Sequence, residues 1–158
     1  MGASNIHNGW RYDVTNSRLD FYFRGTRVGH IDANGMELAT GDLEINAGTV
    51  NAQDGGTVTQ STNKTTGVTL STNSGQITMN GAALADNAEA TFVVTNTTVA
   101  ATDVVAVCHG SAGTAGAYNV GANSIGAGSF AITVGNVSGG ALSEAIVIHF
   151  VVLKGASS

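Results

Sequence analysis

Apolar residues in this chain recur at every second position, in short runs that glycine cuts off. No other feature limits the possible folds so strongly. Phe130, Ile132 and Val134 share one parity, with Ala131 and Thr133 between them; Val68 and Leu70 repeat the pattern, as do Ile77 and Met79. A period of two is the period of a strand with one buried face. The sequence holds 22 glycines and no proline in 158 residues, and only 11% of it is charged, against about 25% in an average domain. Thr and Asn take the place of charge, which suits short strands and tight turns. Strands are expected near 57–60, 67–71, 76–80, 90–96, 103–109, 117–120, 129–134 and 144–154, with one helical turn at 81–86. That succession is the signature of an antiparallel β-sandwich of jelly-roll-like type.

The last of these strands differs from the rest. Ala145, Val147, His149, Val151 and Leu153 line one face, and Ile146, Ile148, Phe150 and Val152 the other. Both faces are apolar, so both call for burial, and a two-layer sandwich buries only one. Val147, His149, Val151 and Leu153 are therefore the candidate contacts with neighbouring copies of the chain. The missing prolines and scarce lysines agree, since edge strands left in water usually carry them.

The first part of the chain has another composition. All four arginines, Arg11, Arg18, Arg24 and Arg27, lie there, with Trp10, Tyr12, Phe21, Tyr22 and Phe23. Arg and aromatic residues are enriched at the cores of protein interfaces, so these nine residues are the candidate anchor to a larger partner. Residues 28–54 show brief alternation punctuated by glycine, with a hairpin expected at Asn34-Gly35. This stretch resembles the shaft segments of viral fibres, in which three chains wrap about one axis. The expected organisation is an extended, fibre-like arm and short β shaft over 1–54 and a β-sandwich over 55–158.

Several classes are disfavoured. A net charge of -5, with no Lys or Arg between Lys64 and Lys154, speaks against nucleic-acid binding. No apolar run reaches the ~20 residues of a membrane-spanning helix. The N-terminal residues lack the pattern of a secretory signal. Neither a metal nor a cofactor is expected. His7 and His30 have no second ligand at useful spacing, and a solvated strand face is the reading for Asp42, Glu44 and Asn46. Cys108 and His109 point to opposite faces of a strand, and Cys108 is expected to be a buried thiol. Asp86 and Glu89 are a pair of nearby carboxylates of the kind a glycosidase uses, but enzymatic activity is not expected. Glycine-rich stretches at 110–116 and 126–128 read as mobile loops. Asn63-Lys-Thr65, Asn96-Thr-Thr98 and Asn136-Val-Ser138 match the glycosylation pattern by chance of composition.

Residues 56–108 and 129–155 resemble a C-terminal module of tailed-phage and prophage virion proteins, most specifically in VTQSTNKTTGVTL (58–70) and GALSEA (140–145). RLDFYFRGTRVGH (18–30) is similar to phage sequences in a looser way. The resemblance implies a homotrimeric component of the virion exterior, assembled in the host cytoplasm, and implies no catalytic residue. The expected function is a capsid decoration (cement) protein held on the major capsid protein. The alternative is a receptor-binding tip or short fibre of tail or head, with Tyr118 and Asn119 among its contacts. A sugar-active enzyme ranks third.

Overall fold

The computed structural model describes residues 8–39, 43–45, 50 and 55–155. They are all-β, with no helix among them, and the chain divides into two compact units, Met1–Val50 and Asn51–Ser158.

In the first unit, strands β1 (Asn8–Asp13), β2 (Arg18–Phe23), β3 (Thr26–Asp32) and β4 (Gly35–Leu38) pair in chain order as an antiparallel meander. Local chemistry closes each turn. Asp13 Oδ1 accepts from the backbone N–H of Thr15 at 3.1 Å and of Asn16 at 3.3 Å. Arg24 and Gly25 both take positive φ, 50° and 78°, the type I′ pairing whose twist matches the strands it joins. Asp32 Oδ1 accepts from Asn34 N–H at 2.7 Å in the expected third hairpin. The strands of 28–38 thus find their partners within the chain, whereas the sequence suggested a shaft that needs identical neighbours. Of the rest of that shaft, 40–42, 46–49 and 51–54 lie outside the described residues.

The second unit holds β5 (Thr57–Thr59), β6 (Val68–Thr69), β7 (Ser74–Thr78), β8 (Glu89–Thr95), β9 (Val104–Ser111), β10 (Tyr118–Gly126), β11 (Ser129–Asn136) and β12 (Val147–Leu153). They form two four-stranded sheets, ordered β10-β11-β8-β6 and β5-β7-β12-β9. Each strand foreseen from the alternation is present. The chain changes sheet at every connection except the β10–β11 hairpin. Pairing is antiparallel throughout, except that β5 runs parallel to β7 and β6 parallel to β8. Because successive strands lie in opposite layers, their inward residues meet in one core. Ile77, Phe92, Val94, Phe130, Ile132, Ile146 and Ile148 are at most 2% exposed, and the Phe130 and Phe150 rings lie 5.5 Å apart. In β8, buried Ala90, Phe92 and Val94 alternate with exposed Glu89, Thr91, Val93 and Thr95, as a half-buried strand requires.

The helical turn expected at 81–86 does not form. Asn80 Oδ1 takes the Ala82 N–H at 2.8 Å, and Leu84 exchanges backbone hydrogen bonds of 2.8 and 3.0 Å with Leu142. Those contacts use the donors and acceptors that a helical turn would need.

The three Asn-x-Ser/Thr triplets turn out to be one structural device used three times. Asn63 Oδ1 accepts from Thr65 N–H at 2.9 Å and Thr65 Oγ1 at 2.8 Å. Asn96 Oδ1 accepts from Thr98 N–H at 3.0 Å and Oγ1 at 2.7 Å. Asn136 Oδ1 accepts from Ser138 N–H at 3.0 Å. Each is an Asx turn, in which the side-chain carbonyl replaces a backbone acceptor. Asn96 and Asn136 are fully buried, and their amides tie distant segments: Asn96 Nδ2 donates to Thr72 O at 2.8 Å, and Asn136 Nδ2 to Leu84 O at 2.8 Å and Gly140 O at 2.7 Å.

Candidate functional site

The meander of the first unit sorts its residues cleanly between two faces. Cross-strand partners share a face, so the register Trp10–Phe21–Gly29–Leu38 and Tyr12–Leu19–Ile31–Met36 builds an apolar side. The Trp10 indole meets the Phe21 ring edge to face, with centroids 4.5 Å apart. A β-bulge between Phe21 and Tyr22 keeps Arg27 and His30 together on the other side. Gly29 permits the close approach of β4 there: a Cβ on it would stand 2.3 Å from the Glu37 carbonyl oxygen.

The opposite face is a charged network. Asp20, 1% exposed, accepts from Arg18 Nε at 2.8 Å and stands 3.9 Å from Arg27. Arg27 lies 2.7 Å from His30 Nδ1, and a guanidinium only donates, so Nδ1 accepts and Nε2 faces Asp32 Oδ2 at 3.4 Å. Glu37 completes the set, 3.8 Å from Arg27 and 3.7 Å from His30. No cluster suited to a metal occurs among the described residues. The nine candidate anchor residues are therefore split. Trp10, Tyr12, Phe21 and Phe23 belong to the apolar face; Arg11, Arg18, Tyr22 and Arg27 belong to the polar one; Arg24 sits in a turn with its guanidinium 5.3 Å from the Phe23 ring centroid. Arg18 and Arg27 are engaged internally, which the sequence alone does not reveal.

The second unit offers another flat surface, the outer face of the β5-β7-β12-β9 sheet. The β12 residues Ile148, Phe150 and Val152 enter the core, while Val147, His149 and Val151 stand half-buried outside and Leu153 is 56% exposed. Across β9 they face Ser111, Cys108, Ala106 and Val104; across β7, Val147, His149 and Val151 face Thr78, Gln76 and Ser74. Among the described residues this face carries no Asp, Glu, Lys or Arg. The four candidate interface residues are thus brought together. The His149 ring lies over Gly110, where a Cβ would come within 2.4 Å of it. Cys108 is exposed, which corrects the expectation of a buried thiol. Val105 and Val107 occupy the inward parity of β9, so Cys108 follows Val104 and Ala106 outward. His109 takes the inward parity, with Nε2 2.7 Å from Ala112 O and its ring 5.7 Å from that of Tyr118.

The glycine-rich segment 111–117 is tied down rather than free. Glu144 accepts from Thr114 N–H at 3.0 Å, Thr114 Oγ1 at 2.8 Å and Tyr118 Oη at 2.9 Å. These bonds hold its carboxyl below the usual range, and burial together with the neighbouring carboxylate pushes the Tyr118 phenol up to about 12. Tyr118 is buried and presents no ring to a ligand, whereas the side chain of its neighbour Asn119 is exposed. Lys64, also buried, donates to Asn80 O at 2.7 Å and Glu144 O at 2.6 Å; desolvation lowers its pKa. At the end of the sandwich, Asp103 accepts from Ala100 N–H at 2.8 Å, from Lys154 Nζ and from Gly155 N–H at 3.0 Å. Its pKa falls to about 2, first through the Ala100 bond and then through Lys154. Of the two candidate glycosidase carboxylates, Asp86 is engaged by Gly139 N–H at 2.9 Å and Asn87 Nδ2 at 2.6 Å, and Glu89 stands on the outer face of β8. His7, Asp42 and Asn46 lie outside the described residues, and Glu44 is exposed.

No family model, curated protein or solved structure matches this chain.

Proposed function

We propose that this chain is a structural protein of the exterior of a tailed-phage virion: a homotrimeric capsid decoration protein that reinforces contacts between capsomers. The observation that carries the reading is the outer face of the β5-β7-β12-β9 sheet. It combines exposed Val104, Ala106, Cys108 and Leu153 with half-buried Val147, His149 and Val151, and bears no charge. A sheet face of this kind is characteristic of surfaces covered in an assembly. The resemblance of 56–108 and 129–155 to exterior virion modules supports the viral setting. Attachment to the major capsid protein runs through the first unit, where Arg11 and Arg24 remain exposed.

One observation favours a second reading, a receptor-binding tip or short fibre. On the opposite sheet, Asn119, Asn123, Thr133 and Glu89 join Val120 and Ala122 around Gly121 and Gly135 in a shallow depression of mixed polarity, about 290 Å³ in volume. Its side chains suit the hydroxyls of a neutral glycan, although no aromatic ring lines it. Quantitative mass spectrometry and cryo-electron microscopy of virions separate the two. Many copies at three-fold positions of the head support decoration, and a few copies at the tail support the tip. Absence from purified virions overturns both.

A further inference from the structure

The meander of the first unit has a face that the C-terminal assembly surface does not explain. Trp10, Tyr12, Phe23, Ile31, Met36 and Leu38 are each between 40% and 66% exposed and lie on its apolar side or rim. Together they leave roughly 600 Å² of carbon-rich surface open, the upper end of what a monomer ordinarily shows to water. The face carries no charge except the Arg24 guanidinium at its rim, 5.3 Å from the Phe23 ring centroid, whereas the opposite face pairs Arg18, Asp20, Arg27, His30 and Glu37 with one another.

We infer that this apolar face is closed by the same face of the other copies of the chain, so that the meanders pack about the symmetry axis with Trp10 and Phe21 inside. Two properties select a second copy over the capsid protein as the occupant. First, a sheet over residues 8–38 is below the size at which a lone core is stable, and a meander with one bare apolar face has no second layer. It needs cover when it folds, before any capsid is met, and an identical chain is the partner present at that moment. Second, the interior of the face is free of charge, so like faces meet there without like charges. Three faces of roughly 600 Å² amount to a buried surface within the range of a stable specific interface. The number three rests on the homotrimer proposed above; self-closure of the face does not. The aromatic residues then serve assembly of the chain with itself, and the exposed arginines are left for the virion.

Trp10 is the single tryptophan of the chain, so its fluorescence reports on this face alone. The test is acrylamide quenching and emission wavelength of the full-length protein across a dilution series, with mass followed by light scattering. The expected result is a blue-shifted, protected Trp10 in the oligomer that turns red-shifted and quenchable as the mass falls to that of one chain. Ile31→Glu should expose Trp10 at concentrations where the wild type is protected, while Leu153→Glu, on the other unit, should leave the Trp10 signal unchanged in whatever oligomer remains. Protection that persists in a monodisperse monomer overturns the inference, because the cover then comes from the same chain. An exposed Trp10 in the free oligomer that becomes protected only on adding phage particles also overturns it, in favour of the capsid as occupant, and leaves the virion reading intact. A protected oligomer that binds no particle sustains the inference and removes the virion reading.

Discussion

Replacing Asn136 by Ala tests whether the buried Asx turns hold the sandwich together. The side chain is fully buried and makes three hydrogen bonds: Nδ2 to Leu84 O, Nδ2 to Gly140 O, and Oδ1 from Ser138 N–H. Their partners are unequally dependent on it. Leu84 O keeps Leu142 N–H at 3.0 Å, and Gly140 O keeps Ser138 Oγ at 2.9 Å, so only the Ser138 N–H loses its acceptor, close to solvent. Three bonds at about 1 kcal/mol each, plus the small void left by the amide, give a loss of about 2–4 kcal/mol. Asn136→Asp is nearly isosteric but points a carboxylate oxygen at two carbonyl oxygens. It should cost more than the alanine at pH 7, with part of the loss recovered on acidification as the carboxyl protonates. Asn63→Ala, in an exposed loop, should cost about 1 kcal/mol or less. The assay is urea unfolding followed by circular dichroism at one fixed protein concentration, comparing midpoints at unchanged slope. A loss below about 0.5 kcal/mol for Asn136→Ala, or an aspartate no worse than the alanine, would refute the reasoning.

Three further outcomes are expected. Acid should weaken the sandwich through Asp103: its folded pKa, about 2, lies below the ordinary aspartate value of 3.8, so its contribution is present above about pH 4 and is lost as pH falls toward 2. Glu144 is shifted in the same direction, so Asp103→Asn should flatten the fall in melting temperature between pH 4 and 2 without abolishing it; an unchanged slope would remove Asp103 from this role. Cys108 should react rapidly with a maleimide in dissociated chains and at least tenfold more slowly in the assembled protein, because it lies beside His149 on the proposed trimer face; equal rates would show that face to be open. Gly29→Ala should cost about 1–3 kcal/mol as an overpacked contact, since its Cβ would stand 2.3 Å from the Glu37 backbone oxygen, and differential scanning calorimetry should place the loss in the first unit.

The strands of the sandwich were legible because a period of two survives wherever one face is buried and the other is wet. Ile77, Phe92, Ile132 and their neighbours announce themselves in that way. Strand order was not, because nearly every connection changes sheet, and alternation says which residues face inward but not which strand lies alongside. The four strands of the first unit were obscured for another reason. Arg24-Gly25 makes a tight type I′ turn with a residue type that rarely marks one, and a bulge at Phe21–Tyr22 breaks the parity that would have assigned Arg27 and His30 to one face. Among the polar keystones, the signal for Asn96 and Asn136 is visible as Asn-x-Ser/Thr, but the sequence reading sets it aside as a chance match of composition. Its structural meaning lies in the side-chain carbonyl, which needs the N–H and hydroxyl two residues on. Cys108 was misplaced because a free thiol is usually buried, and parity within β9 overrode that preference.

The edges and faces of this fold are protected in different ways, and the difference bears on how it associates. An exposed edge invites pairing with another chain. Here β6 is two residues long and β5 three, too short to template an added strand. The β10 edge is broken by a bulge between Asn123 and Gly126 with Ser124 at φ 50°, which twists its backbone out of register. The remaining edge of the sandwich, β9, runs close beside β10 along its flank. Brevity and bulging therefore guard these sandwich edges without proline or lysine. No comparable device guards the β12 face or the aromatic face of the meander: no inward charge interrupts either, although a single lysine at Val151 or Ile31 would suffice. A sandwich with blocked edges and a bare flat apolar face is suited to the face-to-face association proposed above. Faces packed about an axis close after a fixed number of copies, whereas edges add without limit. The same sequence can thus be sparing of charge and still form a bounded assembly.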